Sequence, residues 1–203
     1  MHIEFLVEEP STEAALANLL PAMLGAGHTF AIHAYQGKRD LLDKLPGRLR
    51  GYRGWLAPNW RIVVLIDEDR EDCIALKQQL ERAAQQAGLT CKSAPDRDGG
   101  FCVLNRLAVE ELEAWFLGDV EALAAAYPGV PASLARKARF RDPDAVTGGT
   151  CEALERVLQA AGYYAAGLPK VEVARKVSRH MDPQRNRSRS FQVFRAGLLE
   201  LLS

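Results

Sequence analysis

Three carboxylates in this chain follow apolar runs at positions where chemistry can be done: Glu8 after HIEFLV, and Asp67 and Asp69 after RIVVLI. Ile62 to Ile66 form an unbroken apolar run rich in β-branched residues, the pattern of a strand buried on both faces. It stops abruptly at Asp67-Glu68-Asp69, with Arg70, Glu71 and Asp72 following. In extended chain, side chains two apart point the same way, so Asp67 and Asp69 are expected to converge. Converging carboxylates repel unless a proton or a cation lies between them. A hard, oxygen-preferring divalent ion, Mg²⁺ or Mn²⁺, suits such a site. Glu8 closes an earlier strand in the same manner, and ligand sites of open α/β sheets lie beyond the carboxyl ends of strands. Neighbouring strand ends would then form one acidic cluster with positions left open for phosphate oxygens. The competing reading is that these acids only solubilise a strand end and cap the next helix.

Further charged groups could serve such a centre. Glu110 and Glu113 share one face of a helix and could hold a second ion or position a water, or could be a solvated face above core-facing Leu112 and Phe116. Lys38 and Arg39 stand at a Gly-led helix start, where a phosphate could meet free backbone amides, although exposed bases on an amphipathic helix are often plain surface. Lys170, Arg175, Lys176, Arg179, Arg187 and Arg189 gather bases in one later stretch. This stretch is expected to fold back over the acidic strand ends and hold phosphates through Lys170, Arg187 and Arg189, with Lys170 nearest. The alternative leaves these bases solvated, with Asn186 and the serines beside it serving as caps.

The elements that must position these groups alternate. His2 to Val7 reads as a strand. A helix opens at Pro10 and Ser11, with Ser11 as its N-cap, and Gly25 to Gly27 end it. His28 to Tyr35 reads as a second strand, and a short basic helix after Gly37 carries Leu41, Leu42, Leu45 and Leu49 on one face. After the central strand, Ile74, Leu76, Leu80, Ala83 and Ala84 have helical spacing from about Arg70 to Ala87, stopped by Gly88. Leu89 to Ala94 and Phe101 to Leu107 read as two further strands around the turn Asp96 to Gly100. Such alternation implies a mostly parallel sheet covered on both faces. From Glu110 onward the pattern is helical, broken at prolines and glycines. Ser188 or Ser190 could cap a last helix whose buried stripe is Phe191, Phe194, Leu198 and Leu201. The expected organisation is an α/β core over residues 1–118 and an all-helical C-terminal part over 119–203 packed on it.

Composition excludes little. The chain has 203 residues with 26 Lys plus Arg against 26 Asp plus Glu, so net charge says nothing about partners. Distribution says more: acid gathers at Glu8–Glu9, Asp67–Asp72 and Glu110–Glu113, base at Lys38–Arg53, Arg136–Arg141 and Arg175–Arg195. That asymmetry suits an acidic metal centre facing an anionic substrate. Cys73, Cys91, Cys102 and Cys151 form no CxxC pair and read as reduced thiols of a cytoplasmic protein. No signal peptide is read, and no apolar run is long enough to span a bilayer. His33 and His180 are isolated and are assigned no role; Trp55 and Trp60 are expected to pack.

HIEFLVEEPSTEAALANLLP followed by IVVLIDEDREDC resembles the Toprim fold of topoisomerases, primases and OLD-type nucleases. LAVEELEAWFLGD, KARFRDPD and NRSRSFQVF narrow the resemblance to a bacterial Toprim-like family catalogued as domain of unknown function 4276, over almost the whole chain. The resemblance implies metal-binding roles for Glu8, Asp67 and Asp69, and its ELEAW context favours a functional Glu113. One departure stands out: Toprim proteins usually carry Gly after the first Glu, a residue that permits close backbone approach, where this chain has Glu9. The activity implied is Mg²⁺-dependent cleavage of nucleic acid, in an antiviral defence setting, beside an ATPase of the ABC/OLD kind. The chain itself has no Walker A sequence. A homo-oligomer is compatible with this reading. The second reading is a catalytically silent module that binds a partner ATPase or nucleic acid.

Overall fold

Alternation along the first strand already implies a sheet buried on two sides. In the computed structural model, which describes residues 1–202, β1 (His2–Val7) sends Ile3, Phe5 and Val7 into one apolar cluster and Leu6 into another. β3 (Trp60–Asp67) does the same, with Val63 and Leu65 on the first side and Ile62, Val64 and Ile66 on the second. With β2 (Thr29–Ala34) and β4 (Val103–Ala108) they form a four-stranded parallel sheet in the order β2-β1-β3-β4. The residues of β3 from Ile62 to Asp67 are buried throughout, as its apolar run predicts.

The helices divide between the two faces. α2 (Lys38–Trp55) and α3 (Cys73–Gln86) cover one, through Leu41, Leu45, Leu49, Tyr52, Leu76 and Leu80. α1 (Pro10–Leu24) covers the other, together with the helical C-terminal part: α4 (Glu113–Gly118), α5 (Val120–Ala126), α6 (Thr150–Ala160), α7 (Lys170–Ser178) and α8 (Arg189–Leu202). Three short 3-10 turns lie between α5 and α6, at Ala132–Arg136, Ala138–Phe140 and Pro143–Ala145. No helix among the described residues is long and apolar enough to cross a membrane.

α4 is short but firmly held from the far end of the chain. Its Trp115 is fully buried against Phe191 and Phe194, ring centroids 5.0 and 5.2 Å away, and its indole N–H donates to Ser190 Oγ at 2.9 Å. Asn186 donates to the Trp115 carbonyl at 2.8 Å, and Arg185 makes two hydrogen bonds, at 2.9 and 3.0 Å, to the buried carboxylate of Asp119. A Cβ on Gly118 would meet Asn186 Oδ1 at 2.2 Å, so only glycine allows this approach.

Several local expectations need correction. Leu89–Ala94 is not a strand: Cys91 makes only isolated bridges, to Ala94 and to Val103. Its buried Leu89 and Cys91 imitate strand alternation while the chain merely passes the edge of β4. Glu9, not Ser11, occupies the N-cap position of α1; with Pro10 opening the helix, the Ser11 hydroxyl bonds to the Glu9 carboxylate instead. α2 is long rather than short, spanning 18 residues. Ile74 is two-thirds exposed despite its helical spacing, because the apolar face of α3 that packs on the sheet is carried by Leu76, Leu80, Ala83 and Ala84. α8 does take its expected cap, Ser188 Oγ accepting the Phe191 amide at 3.1 Å.

Candidate active site

β1 and β3 run side by side in parallel, with Val7 level with Leu65. Glu8 therefore emerges beside the end of β3, and its Oε2 accepts the Asp67 backbone amide at 3.0 Å. Asp67 and Glu8 are both buried, at 5% and 8% exposure. Burial first, and then the charges of Glu113, Glu8, Glu9 and Asp69, push the Asp67 carboxyl well above the usual range. Glu8 is raised to about 7 mainly by burial, which exceeds the opposing effect of its hydrogen bond from Asp67.

The third buried carboxylate comes from the chain that leaves β4. Glu113 opens α4 at 1% exposure, raised to about 7, and burial is the chief cause. Its Oε2 is buried with no hydrogen-bond partner. A buried acceptor without a donor costs about 1–3 kcal/mol, so this oxygen marks a position where a donor or cation is wanted. Across from it Lys170, the first residue of α7, brings its Nζ to 3.6 Å from Glu111, 3.8 Å from Glu113 and 4.0 Å from Glu9. Burial alone would lower the Lys170 pKa, but the surrounding acids outweigh it and hold the ammonium charged.

Asp69 does not follow the extended geometry expected of D-x-D. β3 ends at Asp67, and Asp69 and Arg70 both turn into the left-handed region, at φ 54° and 66°. The alternation that would have aligned Asp69 with Asp67 is broken there. Asp69, its side chain 42% exposed, instead pairs with Lys38 at 2.9 Å. Lys38 also donates to the Glu68 carbonyl at 2.9 Å and to Glu71 at 3.0 Å. Glu110 is left-handed as well, at φ 56°, and is tied to the same turn. The Asp69 amide donates to the Glu110 carbonyl at 2.8 Å, and the Glu110 amide to Glu68 Oε2 at 3.0 Å. Three strained residues in two cross-linked loops are the kind of stored strain that gathers at working sites. A cavity of about 230 Å³ opens here, lined by Asp69, Arg70, Glu110, Glu111, Gly149 and Glu152. Glu111 is committed to its own structural task, accepting from Thr150 Oγ1 at 3.1 Å and from the Cys151 amide at 2.9 Å at the start of α6.

The site therefore brings together Glu8, Asp67, Asp69, Glu113, Lys38 and Lys170. It leaves others outside. Arg39 is almost fully exposed beside Asp43, Arg187 reaches only the Phe140 carbonyl at 3.4 Å, and Arg189 lines a separate groove with Cys73 and Ile74. Glu9 and Glu111 are the participants that sequence reasoning did not place. The Glu8-Glu9 doublet and the EELE run were the available signals, and only the fold shows that Glu9 and Glu111 face Lys170.

The donors are all oxygen, as a hard divalent ion prefers, and Glu113 Oε2 is orphaned, so the residues suit Mg²⁺ or Mn²⁺ chemically. They do not form a finished cage: among the described residues no group of three or more His, Cys, Asp or Glu side chains is disposed to hold an ion. Burial first, and like charge second, raises the carboxyls of Glu8, Asp67 and Glu113 in the absence of an ion.

Fold and site thus define an α/β protein with acidic residues clustered beyond the carboxyl ends of adjacent parallel strands. The chain belongs to the family described as a domain of unknown function, DUF4276, which it matches over residues 7–199. No curated protein and no solved structure matches it.

Proposed function

We propose that this protein is a nuclease dependent on Mg²⁺ or Mn²⁺, of Toprim type, hydrolysing phosphodiesters of nucleic acid. The observation that carries this reading is the burial of Glu8, Asp67 and Glu113 beyond the ends of β1, β3 and β4, near enough for Glu8 and Glu113 to raise the Asp67 carboxyl, with Glu113 Oε2 unpartnered. Asp67, Glu8 and Glu113 would hold the ion, with Asp69 released from Lys38 as a further donor. The bound ion would supply polarisation of the phosphate and stabilisation of the leaving oxygen. Lys170 neutralises the acids around it and would hold a phosphate oxygen as the carboxylates turn to other partners. Burial of Asp67 and Glu113 keeps bulk water from screening these charges, which strengthens every interaction at the centre. In this proposal the chain works in the cytoplasm as the effector of an antiphage defence system, activated by an ABC/OLD-type ATPase.

A second reading keeps a specific observation of its own. Lys38 and Lys170 already neutralise part of the acidic group, and the carboxylates do not converge on one point. A catalytically silent module that binds a partner ATPase or nucleic acid would look like this. Incubating the protein with labelled DNA and RNA, single- and double-stranded, with and without Mn²⁺ separates the two. Metal-dependent cleavage that disappears in Asp67→Asn supports the nuclease. Mn²⁺ binding without cleavage of any substrate, unchanged by Asp67→Asn, leaves the silent module.

A further inference from the structure

The RKARFR segment of the sequence, Arg136 to Arg141, plays no part in the acidic centre. Arg136, Lys137, Arg139 and Arg141 are all exposed, as is Arg156 of α6, and none of the five forms an ion pair among the described residues. Asp144 is engaged elsewhere, accepting from Ser188 and Ser190.

Between the 3-10 turns and α6 lies a groove of about 450 Å³ whose charged lining is wholly basic: Lys137, Arg139 and Arg156. The rest of its wall is apolar, with Pro131, Leu134 and Phe140 among the lining residues. A basic rim over an apolar floor fits neither a bare inorganic anion nor an apolar peptide. It matches single-stranded nucleic acid, whose phosphates seek cations while its bases seek flat apolar surface.

The groove borders the acidic cavity. The Arg139 guanidinium donates to the Thr147 carbonyl at 2.9 Å, at the rim of the turn formed by Gly148 and Gly149. Both glycines are left-handed, at φ 84° and 91°, and a Cβ on Gly149 would meet Glu152 Oε2 at 1.9 Å. Gly149 lines the acidic cavity with Asp69, Arg70 and Glu110. Gly148 and Gly149 thus lie between the basic groove and that cavity, with the Glu152 carboxylate and the Arg70 guanidinium packed against Gly149.

We infer that this groove, through Lys137, Arg139 and Arg156, binds a single-stranded nucleic acid. The inference deepens the nuclease reading by naming a substrate groove, but the binding itself does not depend on that reading. The test measures affinity and not cleavage. A fluorescent single-stranded oligonucleotide is titrated with protein in EDTA at several salt concentrations, using the unmutated chain, the Lys137→Ala/Arg156→Ala pair and the triple variant with Arg139→Ala. The side chains of Lys137 and Arg156 make no hydrogen bond or ion pair, so their removal leaves the fold intact even where loss of Arg139 disturbs the Thr147 turn.

Each phosphate contact removed should lower the slope of log affinity against log salt by about 0.7 for a single strand. The pair should therefore bind several-fold more weakly with a visibly flatter slope, and the triple variant more weakly again. Affinity and slope equal to those of the unmutated chain overturn the inference, as does equal competition by inorganic phosphate at matched charge. Failure of the nuclease reading looks different: no cleavage with any metal, yet groove-dependent binding. Cleavage abolished by Asp67→Asn while the groove variants bind normally retains the centre and discards the groove.

Discussion

Glu4 lies within β1 and Glu8 just beyond its end, and the two are almost equally buried, at 6% and 8% exposure. Their surroundings are opposite. Glu4 receives hydrogen bonds from Tyr52 at 2.9 Å and from His2 at 3.1 Å, and it also meets His33. Burial pushes its carboxyl up, but the bonds from His33, Tyr52 and His2 together outweigh burial and leave it below the ordinary value. Glu8 has only the Asp67 backbone amide and the charge of Lys38 to set against burial, to which Asp69 and Glu9 add, and is raised to about 7. A buried carboxylate supplied with donors is part of the scaffold. One surrounded by its own kind costs stability, and a fold keeps that cost where a ligand or reaction offsets it.

The largest effect expected from breaking this contrast is on catalysis. Asp67→Asn should reduce metal-dependent cleavage by more than the ~10–100-fold typical of losing a mere supporting partner of a metal ligand. Mn²⁺ affinity by calorimetry should fall with it, while the melting temperature holds or rises because a repelling charge has gone. Glu8→Gln keeps shape without charge and should lower cleavage far more than nucleic-acid binding. An equal loss of both would make Glu8 structural, like Glu4.

Glu4→Ala should do the reverse. It strands Tyr52, His2 and His33 and should cost on the order of 1–3 kcal/mol. For a chain of this size that lowers the melting temperature by several degrees, with the Mn²⁺ affinity of the strand ends untouched. A change in Mn²⁺ affinity in this variant would mean that the middle of β1 and its end are coupled.

pH should separate the two carboxylates by sign. Glu8 and Glu113 are raised from 4.5 to about 7, so between those values the folded chain holds protons that the unfolded chain has released. Without metal, stability should therefore fall as pH rises through that window, by up to about 1.4 kcal/mol per pH unit for each group. Mn²⁺ above pH 7 should restore it by binding only the folded state. Glu4, being lowered, contributes stability above its ordinary value and loses it only as pH falls below. Thermal melts of the unmutated chain and Glu8→Gln check this: an equally steep fall in both removes Glu8 as the source.

The smallest effect belongs to Lys38→Ala. Its partners Asp69 and Glu71 are about half exposed, so their ion pairs are worth about 1 kcal/mol or less. Mn²⁺ affinity should rise modestly once Asp69 is freed, and a fall would place Lys38 among the groups that organise the metal.

Much of this was legible in the chain because burial on both faces leaves so strong a mark. The run Ile62–Ile66 could hardly be anything but a central strand, and its stop at Asp67 is where the site stands. His33, left unassigned for want of company, is in fact one of Glu4's partners. What could not be read were facts of direction and neighbourhood. Nothing in D-x-D announces that Asp69 turns left-handed towards Lys38, since that depends on the clasp between the loops after β3 and β4. Arg187 and Arg189 share a basic stretch with Lys170, but α7 and α8 part company, and only Lys170 reaches the acids. Trp55, expected to pack, lies against Tyr52 and Trp60 while remaining more than half exposed.

The fastening of α4 has a consequence in time. A chain made on the ribosome emerges from its first residue, so β1, β3 and their acids can pair while the later helices are still unsynthesised. Glu113 is different, for the helix it opens is held by Arg185, Asn186, Ser190, Phe191 and Phe194, some seventy residues downstream. Until those residues have left the tunnel, Trp115 has no aromatic partners and the third carboxylate has no fixed address. A nascent chain thus carries the first two acids early but acquires the assembled centre only once residues 185–194 have emerged. For the nuclease proposed above, that order would delay arming until the later helices have emerged.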